Sequence, residues 1–130
     1  MTTITVSLVW LATLYAAFVV KQFLGDSLLQ TTWMALGKAQ KHGWFLPLVT
    51  HAAIHGALTL LLMLALRPSL WWLAPVDFGI HALLDYGKAA VTRGLGLTDK
   101  DARWWWLLGL DQRLHEITHF AYVLAVLAAA

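Results

Sequence analysis

The residues best suited to chemistry recur at four-residue steps. His51 and His55 are four apart, as are His81 and Asp85, and Asp111, His115 and His119 take the same step twice. Residues four apart on a helix lie one above the other on a single face. Each set is therefore a stripe of imidazole and carboxylate, a donor set that suits zinc, iron or manganese. Helix bundles build such sites from ligands at this spacing on facing helices. With Asp26 there are eight candidates, more than one tetrahedral ion can use. Either two ions are held, or some candidates orient ligands or act as bases. Zinc is the favoured ion, and Asp26, Asp85 and Glu116 are the candidate bases. His115-Glu116-Ile117-Thr118-His119 also spells H-E-x-x-H. In zincins the two histidines of that motif bind metal and the glutamate is the base. Here Glu116 falls off the 111–115–119 stripe, and His119, the deepest of the candidates, suits a hydrogen-bonded core position better than a ligand's.

These stripes need apolar helices to carry them. Apolar residues make up 60% of the 130-residue chain and charged residues 12%, against about 45–50% and about 25% in soluble domains. A single all-α transmembrane domain, residues 1–130, is expected, because a soluble fold of this size buries only about two-thirds of its surface. With no cysteine, disulfides and thiolate metal sites are excluded. The net charge of +2 gives no reason to expect nucleic acid as a partner; the lipid bilayer is the expected one.

Four segments are long enough to cross a bilayer: Ile4 to about Leu24, Phe45–Leu66, Pro75–Val91, and Trp104 to the C-terminus. Met1 to Ser7 has no basic residue, so the first run reads as a retained span and not as a signal peptide. Trp71, Trp72 and Trp104 to Trp106 stand where headgroups select tryptophan. Lys38 and Lys41 follow the first span, and Lys88, Arg93, Lys100 and Arg103 follow the third, whereas the other side has only Arg67. The positive-inside rule then puts both termini outside the cytoplasm. Gln22, Asp26 and Gln30 share a face if the first helix continues. If Gly25 breaks it, Asp26 to Leu36 is an interfacial amphipathic helix instead.

Depth brings the stripes together. At 1.5 Å rise per residue, His51 and His55 lie about 9 and about 15 Å into their span. Asp85 and His81 lie at about 9 and about 15 Å, and Asp111 and His115 at about 10 and about 16 Å. Ionisable groups at such depth cost roughly 2.5–3.5 kcal/mol each at a helix centre and need partners. Asp77, in the first turn after Pro75, is expected to serve the helix dipole. Lys88 and Arg113 suit either carboxylate pairing or an anionic substrate. The expected function is metal-assisted hydrolysis of a lipid-linked or membrane substrate. A metal or proton conduit, a b-type haem carrier and an H-E-x-x-H protease are the alternatives.

L-G-D-S-L-L-Q-T (24–31), Lys38, H-A-A-I-H (51–55), H-A-L-L-D-Y-G-K (81–88) and D-Q-R-L-H (111–115) occur in this order. Together they resemble a family of small bacterial inner-membrane proteins catalogued only as a domain of unknown function. The resemblance covers nearly the whole chain and implies a polar intramembrane site with no established reaction. It emphasises Asp111, Gln112 and His115, and does not include Glu116.

Overall fold

Ser7 starts the first helix by accepting a hydrogen bond from the Trp10 N–H at 3.4 Å, the role an N-cap hydroxyl plays. From there α1 runs Leu8–Phe23. The computed structural model describes residues 5–129, so the expected start of the first span at Ile4 lies outside them. Gly25 does not break the helix. The backbone widens into a π turn, Leu24–Leu28, closed by the Leu29 N–H on the Leu24 carbonyl at 2.8 Å. The break comes at the end of that turn, and Thr31 then caps a short helix α2, Thr32–Gly37.

The remaining helices are α3 (Phe45–Leu66), α4 (Leu73–Gly94) and α5 (Ala102–Ala128). No strand occurs among the described residues. α3 has the bounds expected of the second span. It stops at Pro68, which cannot continue an α-helix. α4 begins two residues before Pro75, since a first-turn proline forfeits no helical hydrogen bond. Its C-terminus closes through Gly96 at φ 60°, with the Leu97 N–H on the Thr92 carbonyl at 2.9 Å. Only glycine takes that backbone conformation without strain.

The long helices pack in a ring, α1 against α3 and α5, and α4 against α3 and α5. One end of the ring is dry: Leu14, Phe18, Met63, Leu73, Tyr122, Val123 and Val126 form the apolar core there. Beyond it the interior mixes Leu48, Ala52, Ala74 and Ala89 with many polar groups. Lys21, His51, His55, Thr59, Asp77, His81, Asp85, Asp111, His115 and His119 are all buried. Leu8–Leu28 and Phe45–Leu66 are each long and apolar enough to cross a membrane. In α4 and α5 the apolar run is interrupted by Asp77, Asp85, Lys88, Asp111, Arg113 and Glu116.

Candidate metal centre

The π turn sets the geometry of the site. Gly25 lies so close to α3 that a Cβ there would run into the His55 ring. The next residue, Asp26, is thereby brought over the α3 stripe. Gln22 donates to Asp26 Oδ2 at 2.6 Å, and Gln30 donates to the Asp26 carbonyl at 3.0 Å. Asp26 Oδ1 is left for the histidines, 3.0 Å from His55 Nε2 and 3.3 Å from His51 Nε2. From α4, His81 Nε2 comes within 3.1 Å of His51 Nε2. Asp26, His51, His55 and His81 thus turn four donor atoms to one point, all within 4.8 Å of one another. Ligands at about 2.0–2.1 Å from a tetrahedral ion sit about 3.3 Å apart, and the three shortest separations are close to that.

His81, Asp85 and His115 form a second such group, sharing His81 with the first. His115 Nδ1 lies 2.8 Å from the Asp111 carbonyl. A carbonyl only accepts, so Nδ1 carries the proton and Nε2 carries the lone pair. That Nε2 is buried without a hydrogen-bond partner and lies 3.8 Å from Asp85 Oδ1. Metal-binding histidines commonly anchor their other nitrogen in this way. His51, His55 and His81 differ, because their buried Nδ1 atoms have no partner. These two His/Asp clusters can hold a metal ion.

Two lysines border the centre. Lys38, at the end of α2, donates to Asp85 Oδ2 at 2.6 Å and to Gln30 Oε1 at 2.9 Å. Lys88 pairs with Asp111 Oδ2 at 2.7 Å, and neither cluster includes Asp111. Asp26, Lys38, Asp85, Lys88, Asp111 and Gln112 line an open cavity of about 290 Å³.

The other predicted residues lie elsewhere. His119 is one turn deeper, where its Nε2 is 3.0 Å from Lys21 Nζ. Lys21 also pairs with Asp77 Oδ2 at 2.6 Å, and Thr59 donates to the same oxygen at 2.6 Å. Asp77 is therefore a buried partner of Lys21, contrary to the helix-dipole role expected of it, because α4 turns it inward toward α1. Glu116 forms an exposed pair with Arg113 at 3.0 Å. The H-E-x-x-H residues are thus dispersed: His115 faces the metal centre, His119 the lysine, and Glu116 the outside.

Residues 14–129 match the family described as Protein of unknown function (DUF3307). The chain belongs to that family. Comparison with curated proteins and with solved structures finds no match in either. For this DUF3307 chain, the geometry adds four residues to the polar network that spacing alone does not place there. Lys21 reads in sequence as the boundary of the first apolar run, and Lys38 as a loop cation. Thr59 escaped notice, although it continues the four-residue step of His51 and His55. Asp77 stands four residues before His81, so the same step run backwards was the available signal.

Proposed function

We propose that this DUF3307 chain is a four-span bacterial inner-membrane protein that hydrolyses a lipid-linked phosphate ester at a single zinc ion. The observation that carries this reading is the convergence of Asp26 Oδ1 with the Nε2 atoms of His51, His55 and His81, beside a cavity bordered by two lysines. Asp26, His51, His55 and His81 would hold the zinc through one oxygen and three nitrogens, and iron or manganese suits the same donors. Such an ion lowers the pKa of its bound water and polarises the bond to be cleaved.

The remaining steps fall to the chain. Asp85 Oδ2, 3.5 Å from His51 Nε2 and on the cavity wall, takes the proton of the attacking water. The water oxygen bonds to phosphorus as the bond from phosphorus to the lipid oxygen breaks. Asp85 then returns its proton to the departing alkoxide. Lys38 and Lys88 hold the phosphate oxygens. A conduit is less well supported, since the polar interior ends at the apolar core of Leu14, Phe18 and Met63. A haem carrier is disfavoured by His55 and His81, stacked with ring centroids 3.7 Å apart.

The membrane reading draws on the distribution of side chains. Lysine, histidine and aspartate are inside, while Leu61, Leu83 and Ile117 are exposed, the reverse of a soluble fold. The inward-facing groups of α4 and α5 lower the hydropathy of those helices without facing lipid. With both termini outside, the basic loop after α4 is cytoplasmic; a reporter inserted at Gly94 is expected to show cytoplasmic activity. Periplasmic activity there would overturn the orientation.

The direct test is metal content per purified chain. The parent is expected to hold zinc, and His81→Ala to weaken it by more than the about 10–100-fold that loss of an outer partner costs. Glu116→Gln should hold as much as the parent. If His81→Ala retains the ion, or if no divalent ion is held by the parent, the proposal fails.

A further inference from the structure

A second cavity, about 250 Å³, opens between α1 and α5. Its two ends differ in chemistry. Tyr15, Val19 and Phe23 make an apolar wall and are 45%, 49% and 55% exposed, so this end faces outward from the helix ring. The other end is lined by Gln22, Asp26, Gln112 and Glu116. Asp26 and Gln112 also line the cavity beside the metal centre. The two cavities therefore share Asp26 and Gln112 as lining, which sets the crevice next to the cavity bordered by Lys38 and Lys88.

The polarity of the crevice narrows what it takes. Amide and carboxylate groups at hydrocarbon depth are expensive without a polar neighbour. A purely apolar occupant leaves the buried Gln22 Oε1, which has no hydrogen-bond partner, unmatched, and a wholly polar one leaves the aromatic wall unmatched. An amphiphile lying with its chain outward and its headgroup inward matches both ends. The headgroup charge follows from the far side, where Lys38 and Lys88 are the cations bordering the metal cavity. Each now pairs with one carboxylate, and the several oxygens of a phosphate can accept from both ammonium groups at once.

We infer that the crevice between α1 and α5 is the lateral entry for a phosphate-bearing lipid. Its chain lies along Tyr15, Val19 and Phe23, and its phosphate passes Asp26 and Gln112 to reach Lys38 and Lys88. The inference rests on the membrane reading and names the substrate of the proposed hydrolase, but lipid binding itself requires neither turnover nor an ion. The occupant is recognised by one chain and one phosphate, whatever lies beyond the phosphate.

The test is photo-crosslinking of the full chain in phosphatidylcholine vesicles containing phosphatidic acid with a diazirine on its acyl chain. Adducts mapped by mass spectrometry are expected to concentrate on residues 15–23 and 112–119. They should exceed severalfold those from phosphatidylcholine bearing the same diazirine chain. Val19→Trp, which fills the apolar end, should reduce them severalfold, and Lys38→Met with Lys88→Met should abolish the preference for phosphatidic acid. Adducts spread evenly over exposed faces such as Leu61 and Leu83, or equal yields from the two lipids, would overturn the inference. The parent chain alone decides this if a variant does not fold. Metal content measured on the same samples keeps the two readings apart. Localised adducts without metal sink only the zinc hydrolase, and metal with scattered adducts sinks only the lipid entry.

Discussion

Two buried clusters of similar residues lie one helical turn apart in the same ring of helices, and they are completed differently. In the deeper one, the Lys21 ammonium sits between a carboxylate oxygen of Asp77 and the imidazole nitrogen of His119, with Thr59 donating to the same carboxylate. In the shallower one, Asp26 and three imidazoles face one another, and buried nitrogens of His51, His55, His81 and His115 have no partner. The deeper cluster carries its cation on its own chain. In the shallower cluster Lys38 reaches Asp85 Oδ2 at 2.6 Å, whereas Asp26 Oδ1 is faced by the imidazoles of His55 at 3.0 Å and His51 at 3.3 Å. A tethered cation makes a permanent structural tie, whereas an exchangeable one leaves room for chemistry.

The comparison breaks most severely if the tethered cation is removed. Lys21→Met leaves Asp77 as an unpaired buried charge and is expected to lower stability by about 3–5 kcal/mol. Adding Asp77→Leu should recover most of that loss, since a buried pair replaced by apolar residues is often neutral. Unfolding titrations in detergent measure both. Metal content of the folded Lys21→Met fraction should match the parent; Lys21→Met stability equal to the parent would erase the distinction between the clusters.

Gly25→Ala acts on the shallower cluster alone. The added methyl meets the His55 ring, and such overpacking typically costs about 1–3 kcal/mol. Displacement of His55 from Asp26 should also lower zinc affinity, readable by competition with a chelator. An alanine variant that binds zinc like the parent would show that the close approach at Gly25 is not what positions the ligands.

The smallest effect lies outside both clusters. Asp101 accepts hydrogen bonds from the Thr98 N–H at 3.0 Å and from its hydroxyl at 3.2 Å. These bonds, the backbone one foremost, hold its carboxyl below the usual carboxylate range. The stability they contribute is present above the unfolded carboxyl pKa of about 3.9 and is lost as pH falls through the lower folded value. Unfolding midpoints of the parent and Asp101→Asn should therefore differ slightly at neutral pH and converge in acid. A gap that widens in acid would contradict this assignment, and metal content should be the same in both proteins.

Much of this architecture can be read from residue spacing. Phe45–Leu66 is apolar except for its two histidines, Thr50 and Thr59, so both its length and its inward face were evident. The stripes on α4 and α5 were equally plain, because a four-residue step on a regular helix keeps one face. The contribution of α1 was harder to see. Gln22, Asp26 and Gln30 showed a shared face, but the step from Lys21 to Asp26 is five residues, and no α-helical periodicity links them. Partner choice was also beyond spacing. That Lys38 reaches Asp85, and that His119 parts from His115 to join Lys21, depends on how α1 and α2 dock against the stripes. Motif matching misleads for the same reason: H-E-x-x-H is a statement about one helix, whereas the candidate ligands here are brought together by four.

On a regular α-helix, at about 100° per residue, five residues would leave Lys21 and Asp26 about 140° apart around the axis. The π turn at Leu24–Leu28 absorbs the surplus and works as a phase shifter between two segments of one rod. The segment before it is timed to the lysine layer and the segment after it to the histidine layer. Loss of a single residue within the turn would leave Lys21 and Asp26 four apart, about 40° around a regular α-helix, so the wide turn is what accommodates one surplus residue while both side chains stay inward. The two layers of this DUF3307 chain are thus kept on one inward face by a change of backbone winding at Leu24–Leu28.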